Sequence, residues 1–396
     1  MNVLGWVIFI VALLISVMLH ETGHFVTAKK FGMKVTQYFV GFGTTLWSRR
    51  RGETEYGIKA LPLGGFVKIT GMTSLEEVDD ADEARSFRRH PGWQRVIVLV
   101  AGSFMHGLLA FVLLFVVAAG IGLVNTNTTQ LGPVSPCVPA NSQAFAKNQC
   151  TPSDRPSPAR LAGLRQGDTV VAFDGQHVST WTQLGNVIRH TPPGHPVPVT
   201  VLRDGKKVTL RVTLATVSGR AGSYLGVENA DIFTRDGPAR ALGYAGSTFG
   251  QVLAGSGKAI ADLPAAVPHL FAKSRAKYAG GQVTSVVGVG EITGQVVSAD
   301  VGWLYKADYI LLIVAELNIF VGAFNLLPLL PLDGGHVAVV AYERARALIA
   351  RLRGRADPGL VDMTKLVPVS LGVFAIIVFF GMVLILADIV NPVGIT

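Results

Sequence analysis

Residues 16–30 read Ser-Val-Met-Leu-His-Glu-Thr-Gly-His-Phe-Val-Thr-Ala-Lys-Lys, and His20, Glu21 and His24 stand there at His-Glu-x-x-His spacing. On a helix, residues four apart stack along one side, so the two imidazoles share a face one turn apart. Two neutral imidazoles so placed can ligate one Zn²⁺, and a glutamate between them can hold a water and accept its proton. The same spacing also fits two histidines at a helix end with Glu21 solvated. A catalytic zinc needs a third protein ligand and an open fourth position. The stretch Asn325–His336, Asn-Leu-Leu-Pro-Leu-Leu-Pro-Leu-Asp-Gly-Gly-His, offers Asp333 and His336. Position favours Asp333. It follows the proline-broken run and precedes Gly334-Gly335, where the backbone is free to turn a short carboxylate inward. His336 is expected to open the next helical segment.

The elements that must carry these residues are apolar. The 396-residue chain is 49% hydrophobic and 15% charged, with a mean hydropathy of +0.43, too apolar for an ordinary soluble enzyme. A bilayer span needs about 20 mostly apolar residues. Leu4–Phe25, Val96–Leu123 and Leu366–Ile389 qualify directly. Tyr309–Leu332 qualifies as a span decorated with Glu316, Asn318 and Asn325 and broken near Pro328 and Pro331. No Lys or Arg precedes Lys29, so the first segment lacks the flank of a cleaved signal peptide and is expected to be retained. Counted from Leu4, His20 lies roughly 24 Å into a core about 30 Å thick. Ionisable groups there cost about 2.5–3.5 kcal/mol each on insertion scales, so three together call for a compensating cation.

The net charge of +9 is topological. Lys29, Lys30, Lys34, Arg49, Arg50, Arg51, Arg88, Arg89 and Arg95 lie between the first two spans, and Arg344, Arg346, Arg351, Arg353, Arg355 and Lys365 between the last two. The positive-inside rule makes both connections cytoplasmic and the long middle region external. No nucleic-acid role is expected. The middle region alternates β-rich runs with turn signals, including Asp174-Gly175 and Asp204-Gly205, and one helix opened by Thr180. Its run Pro158–Ile188, with Ala-Gly-Leu-Arg-Gln-Gly-Asp followed by strand, turn and helix, resembles a bacterial PDZ domain, and Gly222–Val227 supplies the matching peptide-binding edge. The resemblance implies a module that reads extended peptides by strand addition. Cys137 and Cys150, the only cysteines, fall in a Pro/Ser/Asn-rich insertion placed outside, where one disulfide is expected and a two-cysteine zinc site is not. Asn127 opens a sequon by composition only, and Gly288–Gly294 lacks the setting of a dinucleotide loop.

Taken together, His-Glu-Thr-Gly-His, the Asn325–Gly335 motif, and Tyr38–Gly43 with Pro62–Met72 resemble the site-2 protease family of intramembrane zinc metalloproteases, over essentially the whole chain. The resemblance implies His20, His24 and Asp333 as zinc ligands, Glu21 as acid/base, and Asn325 as a holder of substrate backbone. It also implies a membrane-dipping β-hairpin at Gly52–Ile69 whose edge, at Gly64, Gly65 and Phe66, pairs with an unwound substrate. One stretch departs from the family pattern: Ala-Gly-Ser-Phe-Met-His-Gly carries Ser103 and His106 where Pro and Asn are usual, which raises His106 as an extra ligand; it is read instead as structural or as supporting a ligand, since a closed four-ligand site leaves no room for water.

The expected architecture is a polytopic α-helical membrane protein of four transmembrane helices, with a membrane-associated β-hairpin and an inserted extracytoplasmic α+β PDZ-like domain. Its parts are residues 1–30, first span with zinc motif; 31–92, cytoplasmic-side hairpin region; 93–124, second span; 125–228, PDZ-like domain; 229–307, extracytoplasmic connector; 308–336, third span; 337–365, basic cytoplasmic segment; and 366–391, fourth span. The expected function is a zinc endopeptidase of a bacterial inner membrane, acting within the lipid bilayer on single-pass membrane proteins, such as an anti-sigma factor, in regulated proteolysis. A membrane PDZ scaffold and a zinc transporter are the competing classes.

Overall fold

A computed structural model describes residues 2–72, 78–125, 128–146, 149–230, 232–272, 283–299 and 301–391; Asn127 lies outside them. The chain folds as two compact units, one of residues 1–120 and 237–395, the other of residues 121–236.

In the first unit, α1 (Val3–Lys30), α2 (Gly92–Val116), α6 (Trp303–Asn325) and α8 (Val367–Val390) carry the segments long and apolar enough to cross a membrane. The second of those segments runs on through a π-turn to Ile121. Among the described residues the unit also holds three further helices of more than ten residues, α4 (Pro238–Ala266), α5 (Val286–Ser298) and α7 (Asp333–Leu352). The first two lie in the stretch expected to be a connector. α5 is apolar but at 13 residues too short to span, and α4 is Gly- and Ala-rich with too weak an apolar period to read from sequence; packing against the spans supplies its burial instead, Ala245 of α4 being fully buried with Ala110 of α2 and Ala315 of α6. Gly288–Gly294 lies inside α5.

Between α1 and α2, β1 (Val35–Arg51) and β2 (Thr54–Ile69) form a curled sheet rather than a simple hairpin. Tyr38 and Phe39 pair on one side with Val67 and Phe66 and on the other with Tyr56 and Gly57, while Ser48–Arg51 pair with Gly57–Thr54. The sheet is fastened to α1 by Thr22 Oγ1 and Tyr38 Oη, 2.8 Å apart, and by a Lys29–Glu53 ion pair. Met33, Val35, Ile69, Phe87 and Leu99 close a small core at that end.

In the second unit the four-stranded order is β6 (Gln176–His177), β5 (Thr169–Phe173), β7 (Pro196–Arg203), β8 (Lys206–Thr213). Strand β7 alternates, with Val197, Val199 and Val201 buried. Helix α3 (Trp181–His190) lays Leu184 and Ile188 on that core, and Thr180 Oγ1 caps it by accepting from the Gln183 amide. The two Asp-Gly pairs hold positive φ at both residues, as tight hairpin turns require. β3 (Leu123–Val124) pairs with β10 (Phe233–Thr234) and β4 (Leu131–Val134) with β9 (Val227–Asn229), and Cys137 and Cys150 are joined in a disulfide.

Candidate metal centre

Three side chains from two distant stretches meet at one point. The Nε2 atoms of His20 and His24 are 3.0 Å apart, and Asp333 Oδ2 lies 3.2 Å from the first and 3.4 Å from the second. Four donors around a zinc at 2.0–2.1 Å stand about 3.3 Å from one another if the geometry is tetrahedral. The observed triangle therefore has the size of one face of that tetrahedron, with the fourth corner left for a water or substrate. Asp333 Oδ2 is buried and makes no hydrogen bond, an uncompensated carboxylate oxygen that a cation at this point would satisfy. The donor set fits zinc.

Each donor is held by local structure. His24 Nδ1 lies 2.7 Å from the Val98 carbonyl of α2, so it donates its proton there and turns the Nε2 lone pair toward the centre. Helices α1 and α2 approach closely enough for this because Gly102 has no side chain. A Cβ there would stand 2.5 Å from His20 Cε1 and His24 Nε2. Asp333 opens α7 after the proline-interrupted turn. The next residue, Gly334, presses on the Leu326 carbonyl so tightly that a Cβ would lie 2.2 Å from its oxygen. The glycine pair thus brings the start of α7 against the end of α6, and the carboxylate into reach of two histidines three hundred residues earlier.

Glu21 is half-buried on α1 beside strand β2. Its Cγ is 3.6 Å from where a Cβ on Gly65 would be, and the Val67 amide is directed at its carboxylate. Phe66 stacks on Phe39 with centroids 5.6 Å apart, and Gly64, at φ 135°, bends the strand just before. The structure therefore brings His20, His24 and Asp333 together, with Glu21, Gly65 and Val67 adjacent. Asn325 ends α6, eight residues before Asp333. His106 and His336 stand outside the donor triangle among the described residues. Sequence reasoning missed Gly102 and the Val98 carbonyl. The small residues 101–103 were a signal of close helix packing, but nothing local indicated that the neighbours would be the two imidazoles.

Long apolar helices carrying this donor set define the class as a membrane metallopeptidase. A family model described as Peptidase family M50 matches residues 8–356. Among curated proteins the chain is 39% identical over 417 residues to zinc metalloprotease Rip1 of Mycobacterium tuberculosis, covering 99% of each chain. It is 36% identical to zinc metalloprotease Rip1 of Mycolicibacterium smegmatis, covering 99% of this chain and 98% of the other. Metalloprotease MmpA of Caulobacter vibrioides is 26% identical, with 86% of this chain and 87% of the other covered. The chain belongs to peptidase family M50, the site-2 protease type of zinc metalloendopeptidase.

Proposed function

We propose that this chain is an intramembrane zinc endopeptidase that cuts single-pass membrane proteins within or near their spans, with His20, His24 and Asp333 as the metal ligands. The observation that carries the reading is the donor triangle with Glu21 set between it and strand β2. A zinc held there supplies Lewis-acid charge that polarises the scissile carbonyl and makes a water acidic. Glu21 takes the proton of the attacking water and returns it to the leaving amide nitrogen. A peptide bond inside a helix is shielded by its own hydrogen bonds, so the substrate must be extended first. Residues 65–67 pair with β1 on one side only among the described residues, and their other edge accepts the unwound segment by strand addition, with Gly64, Gly65 and Phe66 along it and Asn325 holding substrate backbone across the site.

The charge distribution supports a bacterial inner-membrane placement with both basic connections cytoplasmic, the active site toward that face and the unit of residues 121–236 outside. That unit serves as a PDZ-like filter, so that a substrate of anti-sigma-factor type is admitted after a first external cut. The test is cleavage of a tagged single-pass substrate. A zinc chelator should abolish it, and Glu21→Gln should abolish it while retaining zinc, because the ligands are untouched. Substantial cleavage by Glu21→Gln removes the assignment.

A further inference from the structure

His106 is, with Ser103, one of the two residues at which the second span departs from the resembled pattern, and the structure fixes how its ring is oriented. The Asn318 side-chain amide donates through Nδ2 to the Val314 carbonyl at 2.7 Å, which leaves Oδ1 facing His106 Nδ1, also at 2.7 Å. An amide oxygen only accepts, so His106 Nδ1 carries the proton and Nε2 carries a lone pair. The ring is 3% exposed and lies beside that of His20, with centroids 4.9 Å apart and planes tilted by 43°.

His20 has the complementary need. Its Nε2 points into the donor triangle, so its proton resides on Nδ1, and that atom is buried without a hydrogen-bond partner. Metal-bound histidines almost always donate their second N–H to a neighbour, which fixes the tautomer and raises the basicity of the ligating nitrogen. His24 has the Val98 carbonyl for this. Ser16 Oγ, one turn before His20, is buried and unpartnered as well and is the rival acceptor.

We infer that His106, oriented by Asn318, is the positioning residue toward whose Nε2 lone pair the His20 Nδ1–H turns when the metal binds, so that His20 is held in its metal-binding tautomer. The relay runs from Asn318 on α6 through His106 on α2 to His20 on α1, and ties three spans to one ligand. It rests on the reading of His20 as a ligand.

The test is zinc affinity of the full-length protein in detergent, measured by competition with a chromophoric chelator and independent of proteolysis. His106→Phe fills the space without an acceptor and should weaken zinc binding about 10–100-fold. His106→Gln keeps an acceptor and should bind within a few-fold of wild type, Asn318→Leu should weaken binding in the same direction as His106→Phe, and Ser16→Ala should leave affinity unchanged. Wild-type affinity in His106→Phe overturns the inference, as does a Ser16→Ala variant weakened as much. Loss of zinc in both His106→Phe and His106→Gln, as complete as in His20→Ala, makes His106 a direct ligand and also overturns it. Retention of zinc by His20→Ala instead removes the underlying ligand assignment.

Discussion

Replacing Gly102 with alanine adds one methyl group at a crowded point of the centre, against the two imidazoles. The new Cβ would lie 2.5 Å from His20 Cε1, 2.5 Å from His24 Nε2 and 2.6 Å from His20 Nε2, whereas non-bonded atoms settle at about 3.5–4.0 Å. The shortfall is about 1 Å against two rings at once. His24 cannot swing away without losing its bond to the Val98 carbonyl, so α2 must retreat from α1. There Gly23 already presses on the Ala101 carbonyl, where a Cβ would come within 2.4 Å of the oxygen. Overpacking of this kind costs about 1–3 kcal/mol, and a 1 Å displacement of groups that must act together lowers rate by about 10²-fold. Gly102→Ala should therefore bind zinc more weakly and cleave a tagged substrate about two orders of magnitude more slowly. Gly107→Ala is the control on the same helix. Its Cβ would meet the Phe249 ring at an ordinary 3.6 Å, and activity should be preserved. Wild-type zinc content and cleavage in Gly102→Ala would refute the claim that this glycine sets the spacing of the ligands.

Asp333→Asn should sharply lower zinc occupancy and cleavage, whereas His336→Ala should keep the metal with at most partial loss of activity; metal analysis showing the reverse order transfers the ligand role to His336. Hydrogen bonds from Arg85, joined by Lys29, hold the Glu53 carboxyl down to about 2 from an ordinary 4.5. A depressed folded-state pKa stabilises the fold fully above 4.5 and loses that contribution as pH falls toward about 2. Glu53→Gln should therefore melt lower than wild type at neutral pH, with the gap closing through that window; a gap constant down to pH 2 would deny the linkage.

Much of this protein was legible in one dimension because bilayer physics acts on runs of residues. Four apolar stretches of spanning length needed no partner to be recognised, and His20 and His24 share a helix face by spacing alone. Turns behaved likewise, since Asp174-Gly175 and Asp204-Gly205 carry their own backbone preference. Bounds were less secure. The third span ends at Asn325, where the proline-broken run begins, and the β-region opens at Val35, inside the stretch 31–92 expected to carry it but ahead of Gly52–Ile69. α4 escaped notice because small residues acquire meaning only against the surfaces they pack on, and α5 because 13 residues fall short of a span.

By itself, then, the sequence determined the class of chemistry, the membrane setting and the two imidazoles, since each depends on residue type and local period. Tertiary structure alone decided what completes the centre. Whether Asp333 or His336 reaches the histidines turns on how closely Gly334 lets α7 approach the end of α6. The contacts of His24 with Val98, and of Asn318 with His106, join residues 74 and 212 positions apart. No periodicity along the chain encodes such pairs; they follow from which helices the glycines allow to touch.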